Sequence, residues 1–277
     1  MADVTGKVKD PVLVLARWLR NRNARERTML GVLGGVLLLL LLWRTIEDHD
    51  TLFVLAELSH FAGIAVLAFK IHSRKSVAGL SLQTQLLTAI YLSVRLFCSF
   101  MMEYDIHTVL DALTLLATCI IVYCMTSTEV ALTYQKEQDK VKSYYVVVPC
   151  VVLALIAHPS TSHAFPFRAL WSFCVYLEAV SVLPQLRMIQ KSKVVERFTA
   201  HYVFALGLSR FMSCAHWLLQ IMEGNKYLLQ ALGSGLWPVM VLLSEIVQTF
   251  ILADFCYYYV KSYAEGTGVI RLPTGVV

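Results

Sequence analysis

Charged side chains are scarce in this chain. Asp, Glu, Lys and Arg make up 16% of it, against about 25% in soluble globular domains, which excludes an ordinary water-soluble fold. Metal-ligand spacing is missing as well. The seven cysteines (Cys98, Cys119, Cys124, Cys150, Cys174, Cys214 and Cys256) fall in apolar stretches without a C-x-x-C pair, so they read as small membrane hydrophobes and not as a zinc site. No phosphate loop, metal cluster or activated nucleophile stands out, so the sequence implies neither an enzyme nor a cofactor. The formal charge of +5 gains its meaning from placement, and nucleic acid is not implied.

What the chain has is apolar length. It is 57% hydrophobic over 277 residues, with a mean hydropathy of +0.62. That is room for eight crossings of about 20 residues with short loops, and none for a sizeable soluble domain. The spacing predicts an all-α polytopic membrane protein. A basic tail over 1–27 precedes an additional N-terminal helix over 28–46, read as retained because it lies too deep and lacks a small-residue cleavage site. A seven-helix bundle follows over 52–260, with spans near 52–69, 86–102, 108–125, 144–157, 169–186, 199–222 and 237–260, and a second tail covers 261–277. Pro149 interrupts the fourth of these, and Pro184 lies near the end of the fifth, where it suggests a kink.

The basic residues separate the two membrane faces. Of the 24 Lys and Arg, all but Arg44, Arg95, Arg168, Arg210 and Lys226 lie on alternate segments: the N-terminal tail, the loops after the second, fourth and sixth spans, and the C-terminal tail. Basic loops face the cytoplasm, so eight spans with both termini cytoplasmic account for the asymmetry.

The last six spans suggest a repeat. Aligning Arg95 with Arg210 pairs LSVRLF with GLSRFM and sets Thr84 opposite Thr199, eleven residues upstream in each half. Two parallel helix triples joined by a connecting helix would enclose a cavity between them.

Ionisable side chains within spans are the candidates for chemistry, because each costs about 2.5 to 3.5 kcal/mol at the bilayer centre even on mild scales. Arg95 and Arg210 sit mid-span, as does Glu178 in ALWSFCVYLEAVSVLPQL. Arg210 and Glu178 are expected to pair, and Arg95 to face a cavity as a fork for a carboxylate such as a peptide C-terminus. His60 in LAELSHFAG is three residues after Glu57, so one helix face carries both, and an imidazole suits a mildly acidic compartment. Trp171 and Trp217, at span ends, suit either an aromatic belt or ligand stacking.

These residues resemble a known family. LAELSHFAGI, VAGLSLQTQLL, LWSFCVYLEAVSVLPQL, AHYVFALGLSR and VQTFILADFCYYYV, between Leu55 and Tyr259, are similar to the KDEL receptors, which retrieve escaped endoplasmic-reticulum residents from the Golgi. The resemblance implies a SWEET/PQ-loop-like bundle of two three-helix repeats plus a linker helix, in endoplasmic reticulum and Golgi membranes. It implies partners too: membrane lipids, and lumenal proteins or peptides with C-terminal retention signals. His60, Arg95, Trp171, Glu178, Arg210 and Trp217 match family positions in or near the peptide cavity. Phe53, Gln220, Cys98, Arg168, Ser209 and Ser213 depart from it, so ordinary Lys-Asp-Glu-Leu tails are expected to bind weakly. The first 50 residues resemble the extension of receptor-like plant relatives, and the C-terminal tail lacks the family's lysine cluster. A small-solute transporter of the PQ-loop type is the alternative this fold leaves open.

Overall fold

A computed structural model describes residues 50–102, 106–127, 129–192, 195–222 and 235–264, together with Glu26. The expected basic tail, additional N-terminal helix and final residues therefore lie outside the described residues, apart from Glu26 and 261–264. Among the described residues from 50 onward, eight α-helices follow in order: α1 (Asp50–Arg74), α2 (Leu82–Met102), α3 (Ile106–Ser127), α4 (Tyr144–Ile156), α5 (Phe165–Val180), α6 (Leu183–Lys191), α7 (Arg197–Met222) and α8 (Trp237–Ala264). A short 3-10 turn spans Glu129–Thr133. Among the described residues, five segments are long and apolar enough to cross a membrane by length and composition: α1, α2, α3, α5 run together with α6, and α8. α4 has only 13 residues, about 20 Å of rise, and α7 has 26 with several polar residues.

The packing repeats between the halves. α2 packs on α3 as α7 packs on α8, and α1 on α3 as α5 on α8; across the halves, α1 packs on α7 as α5 packs on α2. Two triples, α1–α2–α3 and α5/α6–α7–α8, thus interlock, with α4 joining them against α5. Close approach of α1 and α7 depends on Gly63, where an added Cβ would stand 3.1 Å from the Ala205 Cβ and 3.3 Å from the Tyr202 carbonyl. Beside it, Ser59 Oγ donates to the Ala205 carbonyl at 3.0 Å.

One expected span is broken. The segment read as 169–186 is a helix to Val180, a turn at Ser181 and Val182, and a second helix from Leu183 to Lys191. The cause is local chemistry. Pro184 has no N–H to continue the ladder and sits in the first turn of α6, a position suited to its fixed φ. The Gln185 N–H then leaves the helix altogether and donates to Thr84 Oγ1 at 2.9 Å.

That break makes a cross-brace. Gln185 Oε1 accepts from the Ser81 N–H at 2.9 Å, and its Nε2 donates to the Gly79 carbonyl at 2.8 Å, so the second half grips the first turn of α2. Lys70 does the same for the first half. Its ammonium donates to Thr199 Oγ1 at 3.1 Å and to the Ala78 carbonyl at 2.6 Å, and lies 2.5 Å from the Glu196 carboxylate at the start of α7. Lys70 and Gln185, Ser81 and Glu196, Thr84 and Thr199, and Arg95 and Arg210 share one sequence offset. Gly79, at φ 77°, supplies the left-handed turn that aims its carbonyl at Gln185.

Candidate functional site

Charge is concentrated where the helix triples meet. Arg95 of α2 presents its planar fork to α3: Nε donates to Asp111 Oδ2 at 2.6 Å, and Nη2 donates to Asp111 Oδ1. Its remaining nitrogen, Nη1, donates to Glu178 Oε2 of α5 at 2.8 Å. Arg210 of α7 then takes the other oxygen of Glu178 through Nη1. Glu178 is therefore a bridge between the two repeat-related arginines, and Asp111, Arg95, Glu178 and Arg210 form a chain of alternating sign.

The quartet carries two positive and two negative charges and so sums to zero. This matters energetically, because an isolated charge here would cost several kcal/mol and only a paired, hydrogen-bonded set is tolerated. Tyr91 supports both cations: its hydroxyl accepts from Arg210 Nη2 at 3.4 Å, and its ring lies 5.6 Å from the Arg95 guanidinium carbon. The bonds also fix rotamers, so the arginine forks are held at defined angles.

A small cavity adjoins the bridge. His60, Thr88, Tyr91, Glu178, Arg210 and Gln248 contribute to its walls, and its volume is about 10 Å³, room for about one water. Gln248 Oε1 is buried without a hydrogen-bond partner, while its Nε2 donates to Glu245 Oε2 at 2.6 Å. Glu245 accepts also from Ser213 Oγ at 3.1 Å. This carboxylate is buried while Asp254, on the same helix, is exposed.

A second polar group lies on α1 and its neighbours. Glu57 Oε2 is 2.8 Å from His107 Nδ1 of α3. The Phe53 ring stands edge-on to His107 at 4.8 Å between centroids and tilted against His216 at 5.3 Å. Phe53 thus fills apolar space between two imidazoles.

The structure brings together most of the residues singled out from the sequence. His60, Glu178 and Arg210 line one cavity, and Arg95 joins them through Glu178. Trp171 and Trp217 stand apart, half-buried against the apolar cluster of Leu87, Tyr91, Cys174, Leu177 and Trp237. Arg168 does not reach the quartet; its Nη1 donates to the Pro159 carbonyl at 3.3 Å. Sequence reasoning passed over Asp111. Its signal was present in LDALTLLAT, an acid within an otherwise apolar run, and the rule that selected Arg95 selects it equally. Arg95, expected to offer its fork to a carboxylate across a cavity, has all three of its nitrogens bonded to carboxylates of the chain itself.

A bundle of two interlocked helix triples with a buried arginine–carboxylate bridge defines a polytopic helical membrane protein with a polar site between its halves. Comparison with known proteins gives the family. The profile described as "ER lumen protein retaining receptor" matches residues 76–220. A Caenorhabditis elegans ER lumen protein-retaining receptor is 33% identical over 222 residues, 79% of this chain and 96% of its own. Receptor B of Arabidopsis thaliana is 35% identical over 221 residues, covering 78% of this chain and 96% of its own, and receptor 3 of Mus musculus is 34% identical over 216, covering 77% and 94%. The chain belongs to the ER lumen protein-retaining receptor family.

Proposed function

We propose that this chain is a multi-pass receptor of endoplasmic reticulum and Golgi membranes that captures lumenal proteins by C-terminal retention-type signals and supports their retrograde return. One observation carries the reading: Arg95, Glu178 and Arg210 form a buried bridge beside His60, at the meeting of the helix triples. Such a site offers charge-assisted hydrogen bonds to a peptide terminus. The family supports it over solute transport, since the relatives above are all described as retaining receptors. Phe53 and Cys98 stand where the resemblance calls for an arginine and an aspartate, so the preferred signal differs from Lys-Asp-Glu-Leu. Both termini face the cytoplasm, on the bias of basic residues, and the basic segments meet anionic lipid there.

A retention assay tests this reading. Cells lacking other retrieval receptors, given this chain and a secreted reporter with a library of C-terminal tetrapeptides, should retain a subset of tails. Uniform secretion of every tail would refute the assignment. Glycosylation-acceptor insertions test the orientation: modification of a tag at residue 5 would contradict cytoplasmic termini.

A further inference from the structure

Among the described residues, Arg95 is the cation of the site whose fork is met squarely by a carboxylate from the chain itself. Asp111 takes Nε and Nη2 side by side, the arrangement by which a guanidinium would hold a ligand's carboxylate. The Asp111 side chain is 6% exposed and the Arg95 side chain 13%, so the seat is buried and already filled. The quartet is already neutral, so an incoming carboxylate adds a negative charge that nothing compensates unless Asp111 gives way.

We propose that Asp111 is a built-in occupant of the carboxylate seat on Arg95, and that it determines specificity by making any ligand carboxylate compete with it. The proposal rests on the reading of this site as one for C-terminal signals, and it assigns the residue responsible for weak capture of ordinary tails. Loss of the Asp111 charge leaves Arg95 with one uncompensated positive charge and a vacant fork, which an external carboxylate then fills. Among C-terminal signals, those that carry a cation to receive Asp111 are the ones the native chain favours.

Chemical rescue tests this on the full-length protein in detergent or nanodiscs. Asp111→Ala should unfold at a lower temperature than the native chain, and formate or acetate should restore it while chloride at equal ionic strength does not. The native chain should be indifferent to either anion. N-acetyl-leucine should bind Asp111→Ala at least about tenfold more tightly than it binds the native chain, and N-acetyl-leucinamide should bind the two alike. Asp111→Asn keeps the shape of the side chain without its charge and should show the same tenfold gain. Equal response of native and variant chains to carboxylates, or a tenfold preference of the native chain for the free acid over the amide, would overturn the proposal. The outcomes also separate this inference from the function it rests on. Rescue by formate with no peptide captured in any form upholds the occupant and refutes peptide retrieval, whereas native capture that requires a free carboxylate upholds retrieval and refutes the occupant.

Discussion

Lys70 and Gln185 are counterparts that each reach across the repeat to hold the other half's middle helix. Lys70 grips Thr199 and Glu196 at the start of α7, and Gln185 grips Ser81 and Thr84 at the start of α2. An ammonium replaces an amide because its partner is a carboxylate where the other half has a backbone N–H. The two braces differ in what their loss exposes. Glu196 is 43% exposed at its side chain and can turn to water, whereas the Ser81 N–H is buried.

Removing them should therefore cost unequally. Gln185→Leu should destabilise the bundle by about 2 to 4 kcal/mol, since it orphans buried groups, and Lys70→Met by about 1 to 2 kcal/mol. Denaturant titration in mixed micelles gives both values. Equal costs would mean that the buried Ser81 N–H finds another partner.

Glu178 serves two arginines, so its loss should be worse than that of either. Glu178→Gln leaves two like charges facing each other and should cost about 3 to 5 kcal/mol. The double change Glu178→Gln with Arg210→Gln should cost less than the sum of the two single changes, by about 1 kcal/mol or more. Strict additivity would contradict the bridge.

The α1–α7 contact should be sensitive to volume at Gly63. Gly63→Ala must push Ala205 and the Tyr202 carbonyl apart by a few tenths of an ångström, and Gly63→Val by more, with an expected cost for valine of about 2 to 3 kcal/mol. A neutral valine, read by thermal unfolding, would show that the helices are not close-packed there.

Outside the membrane-spanning helices, Asp139 clips the loop before α4 to the start of α2. It accepts from Ser81 Oγ at 2.9 Å, the Gln83 N–H at 3.2 Å and Tyr134 Oη at 2.7 Å. Burial, then the hydrogen bond and charge of Asp139, raise the Tyr134 phenol above its usual range. A raised acid stabilises in its neutral form, so this contribution is complete below about pH 10 and is lost as pH rises above it. Tyr134→Phe should remove that alkaline loss; an unchanged alkaline profile would place its origin elsewhere.

The sequence made the bundle legible because bilayer length and in-span charge are written in composition: six expected spans coincide with helices, and the Arg95–Arg210 alignment anticipated the repeat. The break at Ser181 was harder to see. A proline in an apolar run leaves open whether the helix bends or restarts, and only Thr84, distant in sequence, shows where the Gln185 N–H goes. Arg95, Arg210, Glu178 and His60 were legible from the cost of burying charge. That Asp111 fills the Arg95 fork was not, because pairing depends on how α3 turns against α2, which no periodicity encodes.

Direct titration of C-terminal peptides onto the purified full-length protein tests the central claim, since Glu178 and Arg210 bound the cavity where the helix triples meet. A retention-type tail should bind saturably and lose at least about tenfold in affinity in Arg210→Gln. Saturable binding of no tail, with uptake of a small solute by liposomes bearing the protein, would contradict the account.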